Sequence, residues 1–141
     1  MKLAPVTILI MMMIGTAHAA DLTGRATITD GDTIRVAGKA IRIWGIAAPE
    51  KRERGGRQAT AAMAEMLAGQ VVSCRDRGQR THGRIVASCR VGDRDVGEAM
   101  VRSGWARDCP RYSGGQYAEA ESASPRRVTY PLPSYCIAKG R

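Results

Sequence analysis

At 141 residues the chain can build one hydrophobic core and is too short for a second domain of ordinary size. With no phenylalanine and 4% aromatic residues, that core must rest on Val, Ile, Leu, Ala and two tryptophans. A formal charge of +9, carried almost wholly by arginine, favours a polyanionic partner, because the planar guanidinium pairs bidentately with phosphate; a merely solubilising surface is the bland alternative.

The first residues, MKLAPVTILIMMMIGTAHAA, put Lys2 before an apolar stretch too short to span a bilayer comfortably. Ala17-His18-Ala19 follows as a small-x-small cleavage site. Residues 1–19 are therefore expected to be a signal peptide, a retained anchor being the alternative. The mature product is then periplasmic or secreted, with no membrane attachment, and a basic monomer is the default. Cys74, Cys89, Cys109 and Cys136 all lie in the mature part. Their even number in an exported chain points to two disulfides, and the absence of Cys-x-x-Cys argues against a zinc site.

Three β-rich runs follow, LTGRATIT, DTIRVAG and KAIRIWGIA, broken at Asp30-Gly31 and Gly38-Lys39, which predicts an antiparallel meander. Strict alternation would put Arg42, Trp44 and Ile46 on one face and Ile41, Ile43 and Gly45 on the other. RQATAAMAEMLAG predicts a helix capped by Gly69, burying Ala59, Ala62, Met63, Met66 and Leu67. QVVSCR and RIVASCRV read as two strands joined by the polar loop DRGQRTHG, a hairpin able to bring Cys74 and Cys89 together. DVGEAMVRSGWA reads as a second helix ending near Gly104, with Val96, Ala99, Met100 and Trp105 inward. The rest has one short helical signal at 117–121 and an aperiodic Pro-, Ser- and Arg-rich tail. If Cys74 binds Cys89, Cys109 is left for Cys136 and tethers that tail. The pattern fits a mainly β protein with added helices, a five-stranded Greek-key barrel of the OB-fold type; a split barrel or α+β sandwich is the alternative.

Three clusters carry possible chemistry. Asp30 and Asp32 in DGDT are oxygen ligands suited to a hard cation such as Ca²⁺. Arg42 and Arg84 can neutralise charge on a phosphoryl group. Glu50, held off the metal, can position or deprotonate a water. Together these are the parts needed for metal-assisted phosphodiester cleavage. The run KRERGGR, with Arg52 in it, is a candidate rail for a phosphate backbone.

The order and spacing of TDGDTIRV, IRIWGIAAPE, GQRTHGRIVA and VGEAMVRSGWA resemble the staphylococcal-nuclease-like (thermonuclease) family from about Leu22 to Ala120. The domain would then occupy residues 20–123 and the tail 124–141. The resemblance implies a Ca²⁺-dependent endonuclease acting on DNA or RNA. Asp32 would bind the metal with Asp30 in support, Ala48 would offer its backbone carbonyl, and Glu50 would work on the attacking water. Arg42 and Arg84 would grip the phosphate.

Ala47 departs from the family, which usually carries a second metal-binding aspartate there, so a weakened metal site is expected. The alternative is a catalytically weak module binding nucleic acid or an acidic polysaccharide. His82 stands where a tyrosine is common beside Gly-Arg and can still stack on a base. Tyr112 lies in the region the family uses beside its nucleotide pocket, with Arg107 and Arg111 close in sequence.

Overall fold

A computed structural model describes residues 21–124 and 130–138; the expected signal peptide lies outside them. The chain opens with β1 (Asp21–Gly24) and β2 (Ala26–Ile28), followed by β3 (Thr33–Val36), β4 (Lys39–Ile43) and the two-residue β5 (Ile46–Ala47). Helix α1 (Gly56–Leu67) leads to the long hairpin β6 (Val72–Thr81) and β7 (Arg84–Val91), then β8 (Arg94–Asp95) and α2 (Val96–Arg102). The C-terminal part comprises β9 (Arg107–Asp108), α3 (Pro110–Ser113), α4 (Ala118–Ser122) and a 3₁₀ turn over Ser134–Cys136.

The main sheet runs β1-β6-β7-β4-β3-β2, with β8 on β7. Its two end members, β1 and β2, are halves of one run broken only at Arg25. The sheet therefore curls back to its own first strand, and counting that run once leaves the five strands of an OB-type barrel. All pairings are antiparallel except β4 with β7, Ile41 opposite Ile85. α1 is the connection between the meander and the second hairpin.

Inside the barrel Ile34, Val36, Ile41, Ile43, Val72 and Ala87 are fully or almost fully buried. α1 lays Ala59, Met63 and Leu67 on them, with Ala62 and Met66 at the margin, the stripe expected from its spacing. α2 is capped by Asp95, whose carboxylate accepts the Glu98 amide at 2.9 Å, a strong N-terminal signal. It buries Val96, Met100 and Val101; Val101 takes the inward place expected for Ala99. Both disulfides form, Cys74 with Cys89 and Cys109 with Cys136. The first joins residues directly opposite across β6 and β7 and closes a loop whose constraint is worth about 3 kcal/mol in the chain-entropy account.

Several local expectations give way to backbone geometry. The turn between β3 and β4 is Ala37-Gly38, not Gly38-Lys39, with φ of 49° and 75°, the pair of positive angles that a tight two-residue hairpin requires. Arg42, Trp44 and Ile46 do not share a strand face: β4 stops at Ile43, Gly45 turns the chain at φ 75°, and Ile46–Ala47 pair instead with β9. The polar stretch DRGQRTHG is mostly strand. β6 runs on to Thr81 past an irregularity between Asp76 and Gln79, and the turn shrinks to His82-Gly83. Its residues are polar and mostly exposed, so no apolar alternation marked them. α3 was not foreseen.

Candidate active site

Two close approaches position the acidic residues. A Cβ on Gly31 would come within 2.7 Å of Ala48 Cβ and 2.8 Å of Ala59 Cβ, so the Asp30-Gly31-Asp32 turn can lie against the barrel wall and α1 only because that residue is glycine. A Cβ on Gly56 would sit 1.8 Å from the Glu50 carbonyl oxygen; α1 is thereby pressed onto the Glu50 peptide. Glu50 is further held by its own backbone, its amide donating to the Glu53 carboxylate at 2.8 Å.

Asp30 and Asp32 are 7% and 4% exposed, unusual for carboxylates without partners. Asp32 has several: its Oδ2 accepts the Ala48 amide at 2.8 Å and faces Arg42 Nη2 at 3.1 Å, and its Oδ1 accepts the Thr33 hydroxyl at 3.1 Å. Asp30 Oδ1 accepts the Asp32 amide at 3.1 Å. Burial pushes the Asp32 carboxyl up to about 6; Arg42 and the Ala48 amide oppose the rise and the neighbouring Asp30 adds to it. One guanidinium thus offsets two buried carboxylates incompletely. That deficit, in an oxygen-only setting, fits a hard cation that keeps water in its shell. The fit is one of kind rather than number, since no group of three His, Cys, Asp or Glu side chains is gathered for a metal among the described residues.

Arg42 is anchored a second time through Nη1 on the Ile43 carbonyl at 2.8 Å. Arg84, at the start of β7, donates Nη1 to the Thr33 hydroxyl at 3.0 Å and Nε to the Thr81 carbonyl at 3.3 Å. Asp32, Thr33 and Arg84 therefore form one chain of contacts, and both arginines are fixed before any anion arrives.

A cleft of about 590 Å³ is lined by Arg42, Glu50, His82, Arg84 and Tyr112. It gathers five of the residues expected from the sequence. Asp30, Asp32 and Ala48 are linked to it through Arg42. Arg52 lies elsewhere, on a shallow depression with Lys51, Arg57 and Gln58. The cleft also takes Trp44, Gln79, Arg80, Thr81 and Tyr135, which sequence reasoning missed. The guanidinium of Arg77 lies 4.1 Å from the Trp44 ring centroid. Tyr135 had a usable signal: Cys136 follows it, and a Cys109–Cys136 bond brings it near Tyr112.

Ala47, the departure in the acidic loop, lies in β5 opposite Arg107 of β9. Its methyl is fully buried in a small cluster with Cys109 and Cys136, against which Tyr130 and Leu132 of the tail pack. Arg107 ties this region together through its Nε on Glu121 at 2.9 Å and its Nη1 on the Tyr130 carbonyl at 3.1 Å. Burial, reinforced by Tyr135 and the carboxylates of Glu53, Asp32 and Glu50, pushes the Tyr130 phenol up to about 12.

Comparison with known proteins finds that residues 40–125 match the family described as Staphylococcal nuclease homologue. A protein of Rhizobium meliloti (strain 1021) named Succinoglycan biosynthesis protein ExoI is 32% identical over 127 residues, covering 81% of this chain and 66% of that one. Proteins named Uncharacterized endonuclease from Escherichia coli and from Escherichia coli O157:H7 are 39% and 40% identical, each alignment covering 62% of this chain and 61% of the relative. The chain thus spans between three fifths and two thirds of the length of these relatives.

Proposed function

Because this chain belongs to the staphylococcal nuclease homologue family, we propose that it is an exported endonuclease that hydrolyses phosphodiester bonds of DNA or RNA with Ca²⁺ held at Asp32. The observation that carries the reading is the buried Asp32, bound to Arg42 and linked through Thr33 to Arg84, at a cleft that also presents Glu50. A pure binder of polyanions needs the arginines. It does not need a buried carboxylate beside them.

Asp32, with Asp30 in support and the Ala48 carbonyl, would hold the cation, which when bound polarises a phosphoryl oxygen and adds positive charge. Arg42 and Arg84, already oriented by their protein contacts, hold the phosphate and meet the charge that grows on its oxygens. Glu50 is exposed at the cleft, within reach of water, and accepts a proton as the water oxygen bonds to phosphorus. The ester bond opposite breaks, and the leaving oxygen takes a proton from solvent. Disulfides are compatible with an oxidising compartment outside the cytosol, and no helix among the described residues is long and apolar enough to cross a membrane. We read the mature protein as a monomer.

The oxidised protein is expected to cut single-stranded DNA in millimolar Ca²⁺, to stop on addition of chelator, and to lose turnover on Glu50→Gln while keeping oligonucleotide affinity. Undiminished cutting by Glu50→Gln would remove that residue from the chemistry. No metal-dependent cutting in the starting protein would end the reading.

A pH dependence follows from Asp32. Its carboxyl is raised from the ordinary 3.8 to about 6 in the folded metal-free protein, so between those values the native state keeps a proton that the unfolded chain has released. Its contribution to stability is present below about pH 4 and is withdrawn as pH rises through 6. A cation needs the ionised form. Thermal melts should therefore show a larger rise in Tm from millimolar Ca²⁺ near pH 7.5 than near pH 5; an equal rise at both would mean that Asp32 does not hold the ion.

A second reading has an observation of its own. Ala47 removes a carboxylate that the family resemblance leads one to expect, and one relative carries a name from polysaccharide biosynthesis. A basic cleft that held an acidic polysaccharide without cutting nucleic acid would produce the same charge pattern.

A further inference from the structure

We propose that Tyr135, carried on the C-terminal tail, sets substrate specificity: together with Tyr112 it offers aromatic faces that stack on an unpaired base beside the arginine-lined cleft. The inference rests on the nucleic-acid reading above and adds to that site a residue of the disulfide-tethered tail.

Both tyrosines are 46% exposed and belong to the four exposed large apolar side chains among the described residues; both line the same cleft. Rings left half in water at one opening, in a chain poor in aromatics, are surface that a ligand can cover. The two come from distant parts of the chain and are brought to one place by a covalent bond. Tyr112 sits in α3 just after Cys109, Tyr135 immediately before Cys136, and those cysteines are joined.

Each ring has local support. Tyr112 is fixed by Pro110 at the first position of α3 and by its amide on the Cys109 carbonyl at 2.9 Å. Tyr135 lies within the 3₁₀ turn that packs on α3, closed by the Cys136 amide on the Pro133 carbonyl at 2.9 Å. Arg111 lies 5.8 Å from the Tyr112 ring centroid, so positive charge accompanies the ring.

The chemistry divides cleanly. Arginines bind phosphate whether or not a base is present. Tyrosine faces engage a base only when it is free of its neighbours in a duplex, since stacking needs an open π surface. The aromatic pair therefore adds base-dependent affinity to what the arginines give, beside any that His82 contributes in the same cleft, and duplex DNA must be opened to reach it.

The test is equilibrium binding in chelator, followed by fluorescence anisotropy, of a single-stranded DNA oligonucleotide and an abasic oligonucleotide of the same length and charge. The starting protein should bind the base-containing strand more tightly. Tyr135→Ala should weaken that strand on the order of 5- to 100-fold and leave the abasic strand unchanged, and Tyr135→Trp should restore it. Cys136→Ser, which frees the turn with the tyrosine intact, should behave as Tyr135→Ala. An equal loss on both strands, no loss, or a gain in affinity, which would make the tail a cover rather than a platform, would overturn the proposal. If the starting protein bound neither strand, the nucleic-acid reading would fall with it.

Discussion

Replacing Arg84 with alanine is expected to lower kcat/KM for oligonucleotide cleavage by on the order of 10²- to 10³-fold, the loss seen when one preorganised donor to a developing oxyanion is removed. The expectation rests on how that side chain is held. Nη1 is on Thr33 and Nε on Thr81, so the guanidinium is oriented by the barrel and not by the substrate, and no ordering entropy is left for the transition state to supply. Arg84→Lys should recover little, because an ammonium keeps the charge but cannot hold both protein contacts and a phosphate in one plane. Stability should change modestly, by about 1–2 kcal/mol for the two hydrogen bonds. Steady-state kinetics beside a thermal melt separates these effects. Cleavage within threefold of the starting protein would remove Arg84 from the reaction.

The second large effect concerns Ala47 and is one of stability. Restoring an aspartate there looks like a gain of function from the sequence alone, since the family pattern places a metal ligand at that position. In the structure the Ala47 methyl is fully buried against the Cys109–Cys136 bond, with Tyr130 and Leu132 beside it. An aspartate there would bury a carboxylate among apolar side chains, with Arg107 across the ladder already committed to Glu121 and the Tyr130 carbonyl, a loss on the order of 3–5 kcal/mol and a fall in Tm on the order of 10 °C. Ala47→Asp should also bring no tighter calcium binding while the tail is held. Freeing the tail with Cys136→Ser should relieve part of the penalty, giving a coupling above about 1 kcal/mol in a double-mutant cycle. A variant as stable as the starting protein would show that the aspartate finds room toward Asp32.

The contrast between these residues shows what was legible in advance. Arg42, Glu50 and Arg84 were singled out because each carries charge at a spacing that only a particular strand and turn arrangement makes useful, and all three line one cleft. The meander and the inward stripe of α1 were legible because apolar periodicity reports burial directly. The environment of Ala47 was not, because it depends on the fold of a segment nearly ninety residues downstream that carries no periodicity at all. Pairing Cys109 with Cys136 was within reach. What the tethered segment would touch was not, since a disulfide fixes one point of a chain and leaves its side chains undetermined. Arg52 shows the converse: a charge run next to Glu50 in sequence need not share its cleft, because the chain turns tightly over residues 50–53, the Glu53 amide donating to the Glu50 carbonyl at 2.8 Å.

The bent first strand also gives the barrel a seam. Its second half finds β3 almost at once, Ala26 opposite Val36, whereas its first half must wait for β6, with Leu22 opposite Cys74. Neighbouring stretches of one strand are thus bound by contacts of very different sequence range, and loop-closure entropy makes the distant one slower to form. A nascent chain can assemble the meander that presents Asp30, Asp32 and Arg42 while the wall containing Arg84 is still absent. The two arginines therefore sit on strands joined by a long-range pairing, and the phosphate site exists only once β7 has docked on β4.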